Sequence, residues 1–538
     1  MTPKKLLVAS LIGCALASPA WAANIVLNNV DPAGVGFNDP TPATPVGGNA
    51  GTTVGAQRLI AYKRALELWG KTLASNVTIV VQGSFAGLPC TPTGGTLAQA
   101  GANQIFSDFP NAPLKGHWYG SALANSLAGY DLAPGAPDVP GPTDQYNDDI
   151  VANFNGNIGK PDCIAGPGWY YGLDNQAPAG QTDFLDTFMH EVAHGLGFQN
   201  FATEATGATI EGLPDVYMAY TRDLTTGKQW NMMNAAEIRA SAIRNGQVVW
   251  SGAKVTAAAP LVLGPYQGIR LTGTLSKELE FGTASFGAAP DATNFKGAIV
   301  VGNDSTGSSL GCVAPLTSAV AGKVALMDRG VCGFAVKAKN AQLAGATAVI
   351  IANNAGGAAI PLGGTDVTVT VPTIGISAAD GAAIKAALPG VNVEFFSDAS
   401  RLAGTTDGLV RLYAPTAVIP GSSISHYDVV ASPNLLMEPS ITTDLRSARN
   451  LDLTPALMQD IGWQIETLKI GACDSGVPAV LANGELLHAS VDSCKAGAKN
   501  QGQFVSCMNK VTNDAKTRGW ISGSQHAGIT SCTARGTP

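Results

Sequence analysis

The stretch Phe188-Met-His-Glu-Val-Ala-His-Gly-Leu-Gly-Phe198 constrains this chain more than any other. His190 and His194 are four residues apart, which puts both on one face of a helix, one turn from each other. Phe184, Leu185, Phe188, Val192 and Leu196 recur at helical spacing around them, and Thr182 or Asp183 can cap the start, so a helix is expected over 182–196. Two imidazoles so placed converge on one Zn2+, and Glu191 beside them can take a proton from a zinc-activated water as it attacks a carbonyl. With only six histidines in the chain, chance is a poor source of this pattern. A catalytic zinc takes three protein ligands and keeps one open position, so the fold has to bring a third ligand to this helix.

At 538 residues the chain is long enough for roughly two to four units. Hydrophobic content of 45% supports filled cores, and charged content of 13% with a net charge of −7 excludes a disordered or nucleic-acid-binding class. Lys4 and Lys5, the apolar run Leu6 to Ala17 and the small-x-small pattern Ala20-Trp21-Ala22 read as a signal peptide over 1–22. Its removal takes the formal charge from −7 to −9 by loss of the two lysines. No later stretch reads as a membrane span, so the mature chain is expected to be secreted, extracellular or periplasmic, with no membrane anchor. Cys14 leaves with the signal peptide. Cys90, Cys163, Cys312, Cys332, Cys473, Cys494, Cys507 and Cys532 remain, an even number that suggests disulfides in an exported protein. None stands in a CxxC pair, which argues against a cysteine zinc site or a redox motif.

Residues 24–55 read as loops. A helix over 57–73 followed by a β-branched strand at 77–81 suggests a mixed α/β unit. The Gly-, Pro- and Asn-rich region 103–168 is irregular, apart from a strand near 149–154. Asp148 and Asp149 read as a solvated turn, with calcium ligation as the alternative. Between 255 and 400, strands at 298–301, 323–327 and 348–352 alternate with a helix near 337–344, the texture of a separate α/β domain. After Cys473 comes a cysteine-bearing tail with a helix near 502–515.

Gly195, Gly197 and Phe198 resemble the metzincin pattern, in which a glycine turns the chain sharply after the zinc helix. The usual third-ligand place then falls on Asn200, a poor zinc ligand. His426, His488 and His526, and the carboxylates of Glu204 and Asp215, remain as candidates once the upstream His117 is set aside. His426 lies in Ser423-Ile-Ser-His-Tyr-Asp428, and Met437 follows eleven residues later. This arrangement resembles the third ligand and Met-turn of leishmanolysin-type metzincins, which also separate the two parts of the motif by an insertion. The resemblance implies His190, His194 and His426 as zinc ligands, Glu191 as general base and Met437 as a hydrophobic floor. It also implies an extended substrate paired to an edge strand, for which Ile150 to Phe154 is the candidate. Glu204 stays open as the alternative third ligand, and His488 and His526 are expected at the surface.

Gly311-Cys312, the run Gly322 to Gly330, Cys332-Gly-Phe334, Lys337, Asn340-Ala341, Ala344-Gly-Ala346 and Ala352-Asn-Asn354 resemble a protease-associated (PA) domain. That likeness implies a Cys312–Cys332 pair and no catalytic residue within the insert. By elimination Cys90 pairs with Cys163, and the last four cysteines allow three pairings. The expected architecture is α+β: a metzincin-like zincin domain over 23–254 and 401–470, a β-rich α/β PA domain inserted at 255–400, and a small disulfide-bonded, mainly helical module over 471–538. The expected activity is zinc-dependent endopeptidase action on a protein or peptide substrate. The alternative is a non-catalytic, zinc-stabilised binding protein acting through its PA domain.

Overall fold

The computed structural model describes residues 22–92, 94–133, 148–355, 359–364 and 366–536. The expected signal peptide, apart from Ala22, lies outside them. Strands β1 (Ile25–Asn29), β2 (Ile79–Ala86), β3 (Ala98–Ala102) and β4 (Ile150–Asn155) form a sheet in the order β1-β2-β4-β3. β1, β2 and β4 run parallel, and β3 is antiparallel to β4. Alternate residues Ile150, Ala152 and Phe154 are buried, as the period of a strand with one face on a core requires. That face is covered by α1 (Val54–Thr72) and α2 (Phe184–Gly195). α1 begins earlier than expected because Thr53 accepts the Ala56 N–H and caps it there. Tyr62, Phe154, Phe184 and Phe188 interlock, with ring centroids 4.0 Å apart for Tyr62–Phe188 and 5.0 Å for Phe154–Phe184. Each such contact adds about 0.5–1.5 kcal/mol beyond burial of its area.

Two expectations are corrected here. Residues 150–154 are not an edge strand: Ile150 pairs with Val81 on one side and Ala102 on the other. The edge beside it is β3, Ala-Gln-Ala-Gly-Ala, whose small residues carry no strand propensity to reveal it. Nor do Asp148 and Asp149 form a solvated turn. Asp149 accepts the Val80 N–H and Asn125 Nδ2, both at 2.9 Å, and Asp148 accepts Asn28 Nδ2 at 3.0 Å, so both carboxylates tie buried chain together.

After β4 and α2, helix α3 (Ala253–Val262) buries Val255, Ala258 and Ala259 in the same core. A second body follows. Its strands are β5 (Pro265–Gly273), β6 (Lys277–Leu279), β7 (Gly282–Thr283), β8 (Lys296–Val301), β9 (Val324–Asp328), β10 (Ala348–Ala352), β11 (Thr373–Ile376) and β12 (Val391–Leu402). Among the described residues they form one sheet in the order β6-β5-β12-β8-β9-β10-β11-β7, with β8 to β11 parallel. Helices α4 (Phe334–Leu343) and α5 (Ala378–Ala387) cover opposite faces, with Ala338 and Ala341 in one core and Ile384 in the other. Burial on both faces explains the unbroken apolar runs of β9 and β10. Chain enters and leaves this body at one place, where the Ala403 N–H donates to Gly264 O at 2.9 Å.

The chain then rejoins the first core, to which it adds α6 (Thr454–Ile461). The remainder pairs strands Thr467–Ile470 and Cys473–Pro478 and packs them on α7 (Leu487–Gly497), α8 (Gln501–Thr517) and α9 (Gly523–Arg535). Four disulfides are formed: Cys90–Cys163, Cys312–Cys332, Cys473–Cys532 and Cys494–Cys507. His488 is not at the surface as expected. It faces α1 across the module's junction with the first core, its Nε2 lying 3.2 Å from Thr72 Oγ1, and burial pushes its pKa down to about 3. Among the described residues no helix is long and apolar enough to cross a membrane.

Candidate metal centre

Asp183 caps α2 by accepting the Asp186 N–H at 3.0 Å, which sets the helix register. At the far end Gly195 lies so close to β4 that a Cβ there would sit 2.3 Å from the Ile150 side chain. Gly197, at φ +121°, turns the chain away, a conformation an L side chain rarely adopts. α2 is thereby pressed against the sheet with His190, Glu191 and His194 all buried.

The structure brings His190, His194 and His426 together. The Nε2 of His190 is 3.0 Å from that of His194 and 3.2 Å from that of His426. Each Nδ1 lies against a backbone carbonyl: His190 on Leu436 O at 2.7 Å, His194 on Phe198 O at 2.8 Å and His426 on Ser422 O at 2.8 Å. A carbonyl only accepts, so each Nδ1 carries the proton and each Nε2 presents a lone pair. Three lone pairs thus converge on one point, an arrangement suited to a cation. Zn–N bonds of about 2.0–2.1 Å in a tetrahedron place ligand nitrogens about 3.3 Å apart, close to the spacing seen. Burial pushes the pKa of His190 down to about 3 and of His194 to about 4, and pushes His426 well below its ordinary value, so all three are neutral at neutral pH and able to ligate a metal. The donor set fits zinc, and among the described residues these three histidines alone form a cluster of that kind.

Burial pushes the Glu191 carboxyl up to about 8, against the pull of the Ala100 N–H that it accepts. That amide belongs to β3. The bonds Asn103 N–H to Asp149 O and Asn155 N–H to Leu97 O turn odd-numbered residues toward β4, so Ala98, Ala100 and Ala102 face the open edge. Gln199 takes the Ala102 N–H at 3.2 Å.

His426 is carried by a segment anchored on several sides. Tyr413 donates its N–H to His426 O at 2.9 Å, Ser425 Oγ accepts Asn200 Nδ2 at 2.9 Å, and Tyr217 Oη donates to Ile424 O at 3.0 Å. Asn200, in the place where metzincins carry a ligand, therefore ties the segment after α2 to the loop of His426. Two residues on, buried Asp428 pairs with Arg411 at 2.8 Å, and Arg411 also reaches Glu280 of the second body at 2.9 Å. Met437 is fully buried, and its carbonyl accepts the Tyr427 N–H at 2.8 Å, while the preceding Leu436 holds His190.

The other candidates lie elsewhere. Glu204 accepts Asn200 Nδ2 at 3.0 Å, and Asp215 is buried accepting the N–H groups of Phe201 and Met218. His117 bonds Lys115 O and Asn231, and His526 bonds Asn513. Sequence reasoning missed Ala100, Gln199, Arg411 and Glu280, which belong to no local pattern and meet only through the fold.

Residues 258–384 match the PA domain family. A PII-type proteinase of Lactococcus lactis subsp. cremoris is 32% identical over 189 residues, which are 35% of this chain and 9% of that protein. A PI-type proteinase of the same organism is 34% identical over the same extent. The chain thus spans only about 9% of the length of the curated relatives it matches. Among solved structures, BSAP, a zinc aminopeptidase from Bacillus subtilis, shares 22% identity over 28% of this chain and 37% of its own, with a TM-score of 0.19. An aminopeptidase from Aneurinibacillus sp. strain AM-1 shares 19% identity over 34% and 42%, with the same score of 0.19. Likeness at that level does not define the architecture of this chain.

Proposed function

We propose that this protein is an exported zinc endopeptidase of the metzincin type, built on a plan like that of the leishmanolysin-like group and carrying a PA domain inside its catalytic domain. The reading rests on one observation above all: three Nε2 lone pairs, their tautomers set by carbonyls, converge beside a buried glutamate. His190, His194 and His426 would hold the metal. Zinc there would supply Lewis acidity, polarising the scissile carbonyl and acidifying water. Glu191 would take a proton from the attacking water on its carboxylate and return it to the leaving amine nitrogen. The Ala100 N–H steadies that carboxylate, and the outward carbonyls of Ala98, Ala100 and Ala102 offer an extended peptide acceptors along the edge of β3. Met437 would close the site from below as part of the buried segment that fixes His190. The pattern at Lys4 to Ala22 and the four disulfides support export.

Glu191→Gln is the test, assayed on casein beside a zinc measurement. Hydrolysis should fall by roughly 10²–10⁴ with zinc retained, and His426→Ala should lose the zinc. Equal hydrolysis by wild type and Glu191→Gln would reject the mechanism and favour the PA domain as the functional part. Undiminished zinc in His426→Ala would reject the third ligand.

A further inference from the structure

Asn200 stands where the local metzincin pattern would put a ligand, and its side chain is buried, 7% exposed. Every polar atom of that side chain is engaged. Nδ2 donates to Ser425 Oγ at 2.9 Å and to Glu204 Oε1 at 3.0 Å, and Oδ1 accepts the Ala202 N–H at 3.0 Å. The backbone N–H of Asn200 also donates to Ser425 Oγ, at 3.2 Å. Two donors on one hydroxyl fill both of its lone pairs. The amide can sit only one way round, because the reverse would set Oδ1 against a carboxylate and Nδ2 against an N–H. An aspartate in its place would lack both donors.

What Asn200 holds is the neighbour of His426, in a turn that does not hold itself. Fully buried Ile424 has φ +67°, a left-handed conformation that a β-branched residue disfavours. Such a conformation persists only where its surroundings over-determine it. The Ile424 N–H donates to Tyr413 O at 2.8 Å, Tyr217 Oη donates to Ile424 O at 3.0 Å, and Asn200 takes the hydroxyl of the next residue. The Asn200 bond is the one that ties this turn to the segment leaving α2.

That same segment carries Phe198. Its carbonyl orients His194 at 2.8 Å, and its ring meets Tyr427 edge-on, with centroids 5.0 Å apart. Residues 198–200 therefore orient His194 directly and His426 through Ser425, which lies 225 positions further along the chain. We infer that Asn200 is a positioning residue: by holding Ser425 it aims His426 at the point shared with His190 and His194, and so sets the affinity of the site for zinc. This rests on the zinc reading of the three histidines. Groups that orient a ligand without touching the metal are typically worth about 10–100-fold in metal affinity or activity.

The test uses the full chain. Zinc affinity is measured by competition with a chelator, beside the visible spectrum of the cobalt-loaded protein and the urea midpoint of the metal-free one. Asn200→Ala and Ser425→Ala should each weaken zinc binding about 10–100-fold and shift the cobalt bands. The two changes combined should cost little more than the larger of them alone, because one residue acts through the other. A lowered urea midpoint with zinc affinity within about twofold of wild type and unmoved cobalt bands overturns the positioning role. So do losses that simply add in the double variant. Should Asn200→Ala not fold, Ser425→Ala makes the same test from the other partner. A wild type that takes up no zinc overturns the metal reading itself. Zinc uptake with the expected losses, but no casein cleavage by the wild type, overturns the peptidase reading and leaves Asn200 in its role.

Discussion

The Arg411–Asp428 pair sits two residues from His426, and its energetics are decided by burial. Their side chains are only 8% and 4% exposed. Burial pushes the Asp428 carboxyl up more than Arg411 pulls it down, so desolvation outweighs the attraction. Such a pair stabilises little as a unit but is costly to break. Asp428→Asn keeps the volume and removes the charge, leaving Arg411 buried without its partner, which costs about 3–5 kcal/mol. Glu280 still holds Nη1 at 2.9 Å, so the lower end, about 3 kcal/mol, is expected. Glu280→Gln, at a side chain 44% exposed, should cost less than about 1 kcal/mol. The double change Arg411→Met with Asp428→Leu should be milder than Asp428→Asn alone. Urea unfolding followed by tryptophan fluorescence measures this, because Trp69, Trp230, Trp250 and Trp463 all lie in the first core, whereas residues 265–402 contain no tryptophan. Asp428→Asn within about 0.5 kcal/mol of wild type, or a double variant worse than Asp428→Asn, would refute the argument.

Gly197→Ala should destabilise by about 1–3 kcal/mol, because its φ of +121° disfavours a side chain and the new Cβ would lie 2.7 Å from Ile461 Cδ1; an unchanged melting temperature would count against this. His488 titrates at about 3 when folded and near 6.5 when unfolded, so between those values the unfolded chain binds the extra proton. Stability is therefore complete above about pH 6.5 and falls toward pH 3 by up to about 5 kcal/mol, and His488→Gln should flatten that slope relative to wild type in pH-dependent urea titrations. Chelation should lower the stability of the first core by about 2.7 kcal/mol when zinc had stood a hundredfold above its Kd, and His426→Ala should not respond, as scanning calorimetry can show.

The parts legible in the sequence were those encoded locally. The α2 helix announces itself through five apolar residues at helical spacing, and β9 and β10 through unbroken apolar runs that only a sheet covered on both faces explains. What escaped was set by long-range pairing. β3 has the composition of a loop and becomes a strand because β4 offers it an edge. Asp148 and Asp149 look solvated until β2 and the 121–128 helix close over them. His488 looks like a surface residue because nothing near it in the chain reveals that Thr72 will face it. The convergence of His426 on α2 was suggested by spacing to Met437, but the carbonyls of Leu436, Phe198 and Ser422 that orient the three rings are backbone atoms, invisible to any pattern of side chains.

The closed detour at Gly264 and Ala403 also bears on time. His426 follows His190 by 236 residues. A ribosome adds about 5–20 residues each second, so the last imidazole trails the first by roughly 10 to 50 s. During that interval a nascent chain holds only two of the three proposed ligands. The inserted body, whose ends already touch, can fold meanwhile and shorten the remaining loop, each halving of which lowers the closure cost by about 0.6 kcal/mol. Order of synthesis thus acts as a delay on the site: it stays incomplete until most of the chain has been made.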